Sequence, residues 1–459
     1  MTSNNSRREF LKRASALSAT GVAAPWALNL AAIGEAAAQS APTDYKALVC
    51  VFLFGGNDHG NTLVPYDSAT YNTYASLRAG LATGQALLAP TLLVPDTALA
   101  GGRQYALAPE LSPLKPVFDA GRMGVLLNIG PLIQPTTKAE FSARSVPLPP
   151  KLFSHNDQSS IWQSSNPEGA SSGWGGRMGD LFAAGNSQAT FTSVSVAGNA
   201  VFLSGKTIGQ YQVSSNGSVP ISGIGSTLFG SGAAAQAMRS IITSTPSSSN
   251  FEREYARIVQ RSIDANVSLT GGLGGALALG TVFPATALAA QLRMVARLIS
   301  ARNALSAKRQ VFFVSIGGFD HHDDLLTRHP VLLTEVGGAM AAFDAAMVEL
   351  GVSNQVTAFT ASDFGRTLAS NGDGSDHGWG SYHLVTGGAL KPRSLFGQAP
   401  QIGTNSSDDV GQGRMLPSMA VDQLAATLAT WMGVSNSNLS TVVPGIGNYS
   451  TRDLGLFMP

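Results

Sequence analysis

Residues 46–54 read KALVCVFLF and are followed at once by Gly55-Gly56-Asn57-Asp58-His59-Gly60-Asn61-Thr62. A nearly continuous apolar run, rich in β-branched and aromatic side chains and stopped by a glycine pair, predicts a strand buried on both faces. Similar runs recur at residues 123–128, 310–316 and 356–361. Helical periodicity over residues 251–265, 285–305, 331–350 and 420–432 supplies helices to cover these strands. Buried strands alternating with helices imply a parallel sheet. The Ser/Gly-rich stretch 205–250 is expected to be a surface insertion, and 271–280 a loop. There is no internal repeat, no Walker A loop and no GxGxxG placed after a strand.

The bulk composition agrees with a folded α/β chain. Of 459 residues, 44% are hydrophobic and 12% charged, against the usual ~25% charged, which argues against a disordered polypeptide. The 29 Lys and Arg nearly balance the 28 Asp and Glu, so no global attraction to nucleic acid or anionic lipid is expected. Cys50 is the only cysteine, which excludes an intramolecular disulfide framework and a Cys-rich zinc module. Any metal has to be held by His, Asp or Glu.

The N-terminus has the three parts of an export signal. Ser6-Arg7-Arg8-Glu9-Phe10-Leu11-Lys12 is followed by an Ala-rich apolar run and then Ala36-Ala37-Ala38-Gln39. The arginine pair before Phe-Leu-Lys matches the twin-arginine type, so residues 1–38 are expected to be removed during export by the twin-arginine translocon to the periplasm or beyond. Pro25, Gly34 and Glu35 break the apolar run short of the ~20 residues that a bilayer span needs. No integral membrane span is expected elsewhere. Residues 39–459 are expected to form one domain with a net charge near zero.

In open parallel sheets, sites form where loops gather at the carboxyl ends of strands. Four segments after such strands carry the chemistry. In the first, Asp58 can ligate a cation or merely cap a turn. The second, Gly317-Gly318-Phe319-Asp320-His321-His322, is the densest cluster. Asp320 and His322, two apart in extended chain, can face one side while His321 faces away; Asp323 or Asp324 would cap the next helix. The third, Ser362-Asp363-Phe364-Gly365-Arg366, offers a carboxylate, with a guanidinium that either pairs with it or binds an anionic substrate. The fourth, Asp376-His377, lies between glycines. A further segment, Ser154-His155, supplies a hydroxyl and an imidazole before a helix, as a nucleophile with its base or ligand, or as a cap with a surface histidine. His329, before Pro330, reads as structural. His383 reads as a ligand or a buried core histidine.

Taken together, the twin-arginine start, FLFGGNDHGNT, GGFDHH, SDFGRT with NGDGSDHGWG, and the late AVDQLAATLATWMG resemble the bacterial domain-of-unknown-function 1501 family over the whole mature chain. That family is similar to the alkaline phosphatase and sulfatase superfamily. The resemblance implies an alkaline-phosphatase-like α/β fold, a mixed, mainly parallel sheet sandwiched between helices, with a one- or two-metal site at the sheet edge. By motif it implies metal ligation by Asp58, Asp320, His322, Asp363, Asp376 and His377. The ion would be zinc, with manganese, iron, magnesium or calcium as alternatives.

The implied activity is metal-assisted hydrolysis of a small anionic ester, phosphate ahead of sulfate. Thr62 or Ser154 would be the nucleophile, His155 or His383 the acid or base, and Arg366 the clamp on a non-bridging oxygen. The chain departs from formylglycine sulfatases, whose Cys-x-Pro-x-Arg segment is missing: Cys50 is followed by Val51, Phe52 and Leu53. The other class of function is a non-catalytic exported protein that keeps the fold and acts in envelope assembly or carbohydrate binding, with an envelope component as its ligand.

Overall fold

The computed structural model describes residues 44–246 and 248–459. The expected export signal, residues 1–38, lies outside them.

The strands are β1 (Lys46–Leu53), β2 (Leu63–Pro65), β3 (Tyr105–Leu107), β4 (Met123–Gly130), β5 (Ser193–Ser195), β6 (Tyr211–Gln212) and β7 (Arg309–Ile316). They continue with β8 (Val356–Ser362), β9 (Arg366–Ser370), β10 (Ser375–His377), β11 (Ser381–Thr386), β12 (Ser394–Phe396) and β13 (Met419–Ala420). Among the described residues, one nine-stranded sheet has the order β12-β4-β11-β8-β1-β7-β5-β6, with β13 also on β4. β11 runs antiparallel to β4 and β8, and the other pairings in this sheet are parallel. The architecture is a mixed, mainly parallel α/β sheet.

The first strand is central because both of its faces are apolar. Val49 and Val51 face a core shared with the helices Ala287–Ser300 and Leu325–Glu349. Leu48, Cys50 and Phe52 face a second core built with the helices Trp174–Phe182 and Val421–Met432. Each fully buried Val, Leu or Phe on this strand contributes roughly 1.5–3 kcal/mol. By length and composition the helix Leu325–Glu349 is apolar enough to cross a membrane, but half of its most apolar window is buried within the fold. Its buried residues pack against the first core, as expected of a core helix.

The Ser/Gly-rich stretch departs from a plain surface loop. A helix, Gly232–Ile242, lies within it, started by Ser231, whose side chain accepts from the Ala234 amide. The Gly-rich stretch after residue 270 is also partly helical, because the helix Asn250–Gly274 continues through Gly271 and Gly272.

Register places the site. Leu53 pairs with Ile316 on one side and Ser362 on the other, so β1, β7 and β8 end level. Their following loops emerge side by side, the arrangement that forms sites in parallel sheets.

Candidate metal centre

The loop after β1 turns on Gly55 and Gly56, with φ of 114° and 80°. A Cβ on Gly55 would lie 2.5 Å from the Asp320 amide nitrogen, and one on Gly56 2.3 Å from the Phe364 ring. Side chains are thus excluded where the loops from β1, β7 and β8 meet.

Into this corner come four groups. Asp320 and His322 arrive on the loop after β7, with His321 between them buried on the opposite side beside Phe319 and His329. His377 ends β10, paired with Arg366 of β9 in a short antiparallel hairpin. His155 opens the helix His155–Ser164. The Nε2 atom of His377 lies 2.9 Å from that of His322 and 3.1 Å from that of His155. Asp320 Oδ1 lies 3.2 Å from His322 Nε2 and 3.4 Å from His377 Nε2; Oδ2 lies 3.4 Å from His155 Nε2.

The tautomers follow from the other ring nitrogens. Each Nδ1 faces a group that only accepts: the Asp363 carboxylate at 2.7 Å for His155, the Phe153 carbonyl at 2.8 Å for His377, and the Asp376 carboxylate at 3.1 Å for His322. Each Nδ1 therefore carries the proton, and in the neutral ring each Nε2 presents a lone pair inward. A proton can bridge only one pair of these nitrogens at a time. A cation can serve His155 and His377 together with Asp320, whose ligand atoms all lie within 4.8 Å of one another. Bonds of ~2.0–2.2 Å in a tetrahedron put donor atoms roughly 3.3–3.6 Å apart, and the separations among His155, His377 and Asp320 are 3.1, 3.4 and 3.4 Å. Carboxylates and carbonyls behind the imidazoles are the usual outer support of such ligands. His155, His377 and Asp320 fit a single divalent ion, with His322 beside them.

The electrostatics agree. Burial opposes the charge on Asp320, but Arg366, His155 and His322 outweigh it and hold its pKa below the usual carboxylate value. The hydrogen bond to Asp363 raises the pKa of His155, whereas burial lowers that of His377. Burial also opposes the charge on Asp376, and hydrogen bonds from Asn371 and His322 bring its pKa down.

The expected ligands therefore divide. Asp320, His322 and His377 face the centre. His155, expected as base or ligand, faces it as well. Asp363 and Asp376 stand behind imidazoles rather than pointing inward with them. Asp363 Oδ2 also accepts from the Gly55 amide at 3.0 Å, and Asp376 Oδ1 from Asn371 Nδ2 at 3.1 Å.

Asp58 is not among the converging groups. It is fully buried, 2.7 Å from the Arg78 guanidinium, and accepts from Ser375 Oγ at 2.6 Å and the Asn61 amide at 2.9 Å. Burial would raise its pKa, but Arg78 wins and holds it far below the carboxylate range. The turn-capping reading describes it, with an ion pair added.

Other expected roles also change. Arg366 is completely buried and gives its guanidinium to Asp320, to the Ser375 carbonyl, and to the carbonyls of Gly56 at 2.9 Å and Gly55 at 3.2 Å, so it braces Asp320 rather than clamping a substrate. Thr62 is buried and donates to the Asp58 carbonyl at 2.7 Å, beside Asn57, which removes it as a nucleophile. His383 lies in the core against Trp162, with Nδ1 3.1 Å from Thr360 Oγ1, too enclosed to exchange protons with a substrate. His329 is structural, its Nε2 2.9 Å from Asn57 Oδ1. Ser154 precedes His155 and donates to Asp157 Oδ2 at 2.9 Å. Asp324 precedes the helix Leu325–Glu349 without a side-chain cap.

Sequence reading did not single out Phe153 or Arg78. The Phe153 carbonyl orients His377, and a backbone group leaves no residue-type signal. Arg78 ends the helix Ser68–Arg78, and only the fold brings it to Asp58.

Comparison with known proteins adds the following. No curated protein matches the sequence. Solved structures similar to the chain include the PsFucS1 sulfatase from Pseudoalteromonas sp., at 10% identity and a TM-score of 0.35, with 93% of this chain and 76% of that one covered. The lipoteichoic acid synthase LtaP from Listeria monocytogenes is 8% identical with a TM-score of 0.32, covering 87% and 76%. The C-terminal periplasmic domain of EcEptC from Escherichia coli is 12% identical with a TM-score of 0.31, covering 91% and 88%. The family model described as "Protein of unknown function (DUF1501)" matches residues 45–445, and the chain belongs to that family.

Proposed function

We propose that the protein is an exported, metal-dependent hydrolase of anionic esters, acting on phosphate in preference to sulfate. The observation that supports this reading is the convergence of the His155 and His377 Nε2 atoms and the Asp320 carboxylate within 4.8 Å of one another, with His322 Nε2 2.9 Å from that of His377. His155, His377 and Asp320 would hold the ion and leave a fourth position open, with His322 beside them. Two imidazoles with one carboxylate favour zinc over magnesium or calcium, which prefer oxygen ligands. A bound ion supplies a Lewis acid for the ester oxygen and lowers the pKa of a water at an open position.

The chain's own groups do the rest. Asp363, Asp376 and the Phe153 carbonyl keep the imidazole protons on Nδ1. Arg366 steadies Asp320. Ser154 is the candidate nucleophile: its hydroxyl is held by Asp157 one residue before His155, at the N-terminal end of a helix where developing negative charge is favoured. Phosphate is preferred because Cys50, the only cysteine, is enclosed in β1 with burial pushing its thiol pKa up, so no cysteine is available to form a sulfatase aldehyde. A periplasmic or extracellular location goes with the export signal, and the ligand would be a small anionic ester.

A second reading, a non-catalytic protein that binds an envelope component, has one observation in its favour. Among the described residues, no Ser or Thr hydroxyl hydrogen-bonds to His155, His322, His377 or Asp320. Zinc-loaded full-length protein should therefore be assayed with an aryl phosphate, a phosphodiester and an aryl sulfate. The hydrolase reading expects phosphate ester turnover that His377→Ala abolishes. Fully metallated protein that turns over none of the three contradicts it and favours the binding role.

A further inference from the structure

A cavity of about 600 Å³ lies beside Phe153, two residues before His155. Phe141, Leu148, Leu152 and Phe153 line it, with Arg144 and Lys151 beside them. The four apolar side chains are half-buried rim residues of the second core.

The segment is held in an unusual conformation. Arg144, Lys151 and Phe153 have φ of 50°, 47° and 72°. Left-handed backbone at non-glycine residues costs roughly 1–3 kcal/mol each and concentrates at functional sites. Phe153 belongs both to the cavity wall and to the support of His377. Its carbonyl orients His377, and its ring lies 5.0 Å from the Arg414 guanidinium, which in turn donates to the His377 carbonyl at 2.7 Å. One wall of the cavity is thus the support of a candidate metal ligand.

The cations are available to a ligand. Arg144 is exposed and makes no ion pair among the described residues. Lys151 lies 3.5 Å from Asp157 Oδ2 but leaves 69% of its side chain exposed, so that pair is weak and screened. An apolar, aromatic wall with two cations at its edge suits a ring that bears a negative charge.

We propose that this cavity binds the non-reacting part of the substrate: a ring-bearing group with a second negative charge, its ring against Phe153 and Leu148 and its charge between Arg144 and Lys151. The proposal rests on the reading of the His/Asp cluster as the reacting centre.

The test compares two non-hydrolysable probes, phenylphosphonate and 4-carboxyphenylphosphonate, by calorimetric binding to zinc-loaded full-length protein. The carboxylated probe is expected to bind about tenfold more tightly. The double variant Arg144→Ala/Lys151→Ala should bring that ratio to about one, and the charge-preserving Arg144→Lys/Lys151→Arg should keep it. Zinc content and thermal unfolding of each variant report whether it is folded. A ratio near one in the wild type, or a preference that survives the double alanine variant, overturns the proposal. Hydrolysis of phenyl phosphate is read separately. Preference without turnover supports the subsite and contradicts the hydrolase reading, whereas turnover without preference contradicts the subsite alone.

Discussion

His322 and His377 point their Nε2 atoms at each other across 2.9 Å, while their Nδ1 atoms face the Asp376 carboxylate and the Phe153 carbonyl. These acceptors put both protons on the outer nitrogens, so two lone pairs meet on the inside. His155 repeats the arrangement with Asp363 behind it. Such convergence is unfavourable unless a positive charge occupies the centre.

Removing an outer support should therefore weaken metal binding without emptying the site. Asp363→Asn keeps the shape but loses the negative charge behind His155. Zinc affinity, measured by chelator competition, is expected to fall about 10–100-fold. An unchanged affinity would mean that Asp363 does not set the His155 tautomer.

The Asp58–Arg78 pair should matter for stability rather than for metal binding. Both side chains are buried, so Arg78→Met leaves an uncompensated charge. The expected loss is about 3–5 kcal/mol in urea unfolding. A loss of a few tenths would contradict the burial of this pair.

Acid should destabilise the fold well above the carboxylate range. Burial is the largest influence on His59, His329 and His383, and it lowers their pKa values to about 4, 3 and 3. In the unfolded chain they titrate near 6.5. Below that pH the unfolded state binds protons that the folded state does not. Their contribution is thus fully present above ~6.5 and is lost as pH falls toward ~4, at up to about 1.4 kcal/mol per pH unit for each histidine. Urea midpoints that are flat between about pH 7 and 5 would contradict this.

The strands were legible in the sequence because burial on both faces writes itself as continuous apolar runs. Residues 46–54, 310–316 and 356–361 all lie at or within one residue of β1, β7 and β8. The alternation across Asp320, His321 and His322 also read correctly, since two residues apart on extended chain share a side. The helix Gly232–Ile242 was obscured by its Ser- and Gly-rich flanks, although Ser231 before an Ala-rich run is a start signal. The roles of the carboxylates were not legible. Asp58, Asp363 and Asp376 all follow or adjoin strands, and only three-dimensional placement separates a group facing the centre from one supporting an imidazole or pairing with Arg78. Arg366 likewise looks free in sequence, but the fold surrounds it with carbonyls.

The most direct test is the metal content of the folded protein by elemental analysis after mild dialysis, in the wild type and in His377→Ala. The account predicts about one equivalent of a transition metal, with zinc foremost, and its loss in the variant. Fewer than ~0.1 equivalents in fully folded wild type, even after incubation with zinc, would contradict a metal centre built from His155, Asp320 and His377.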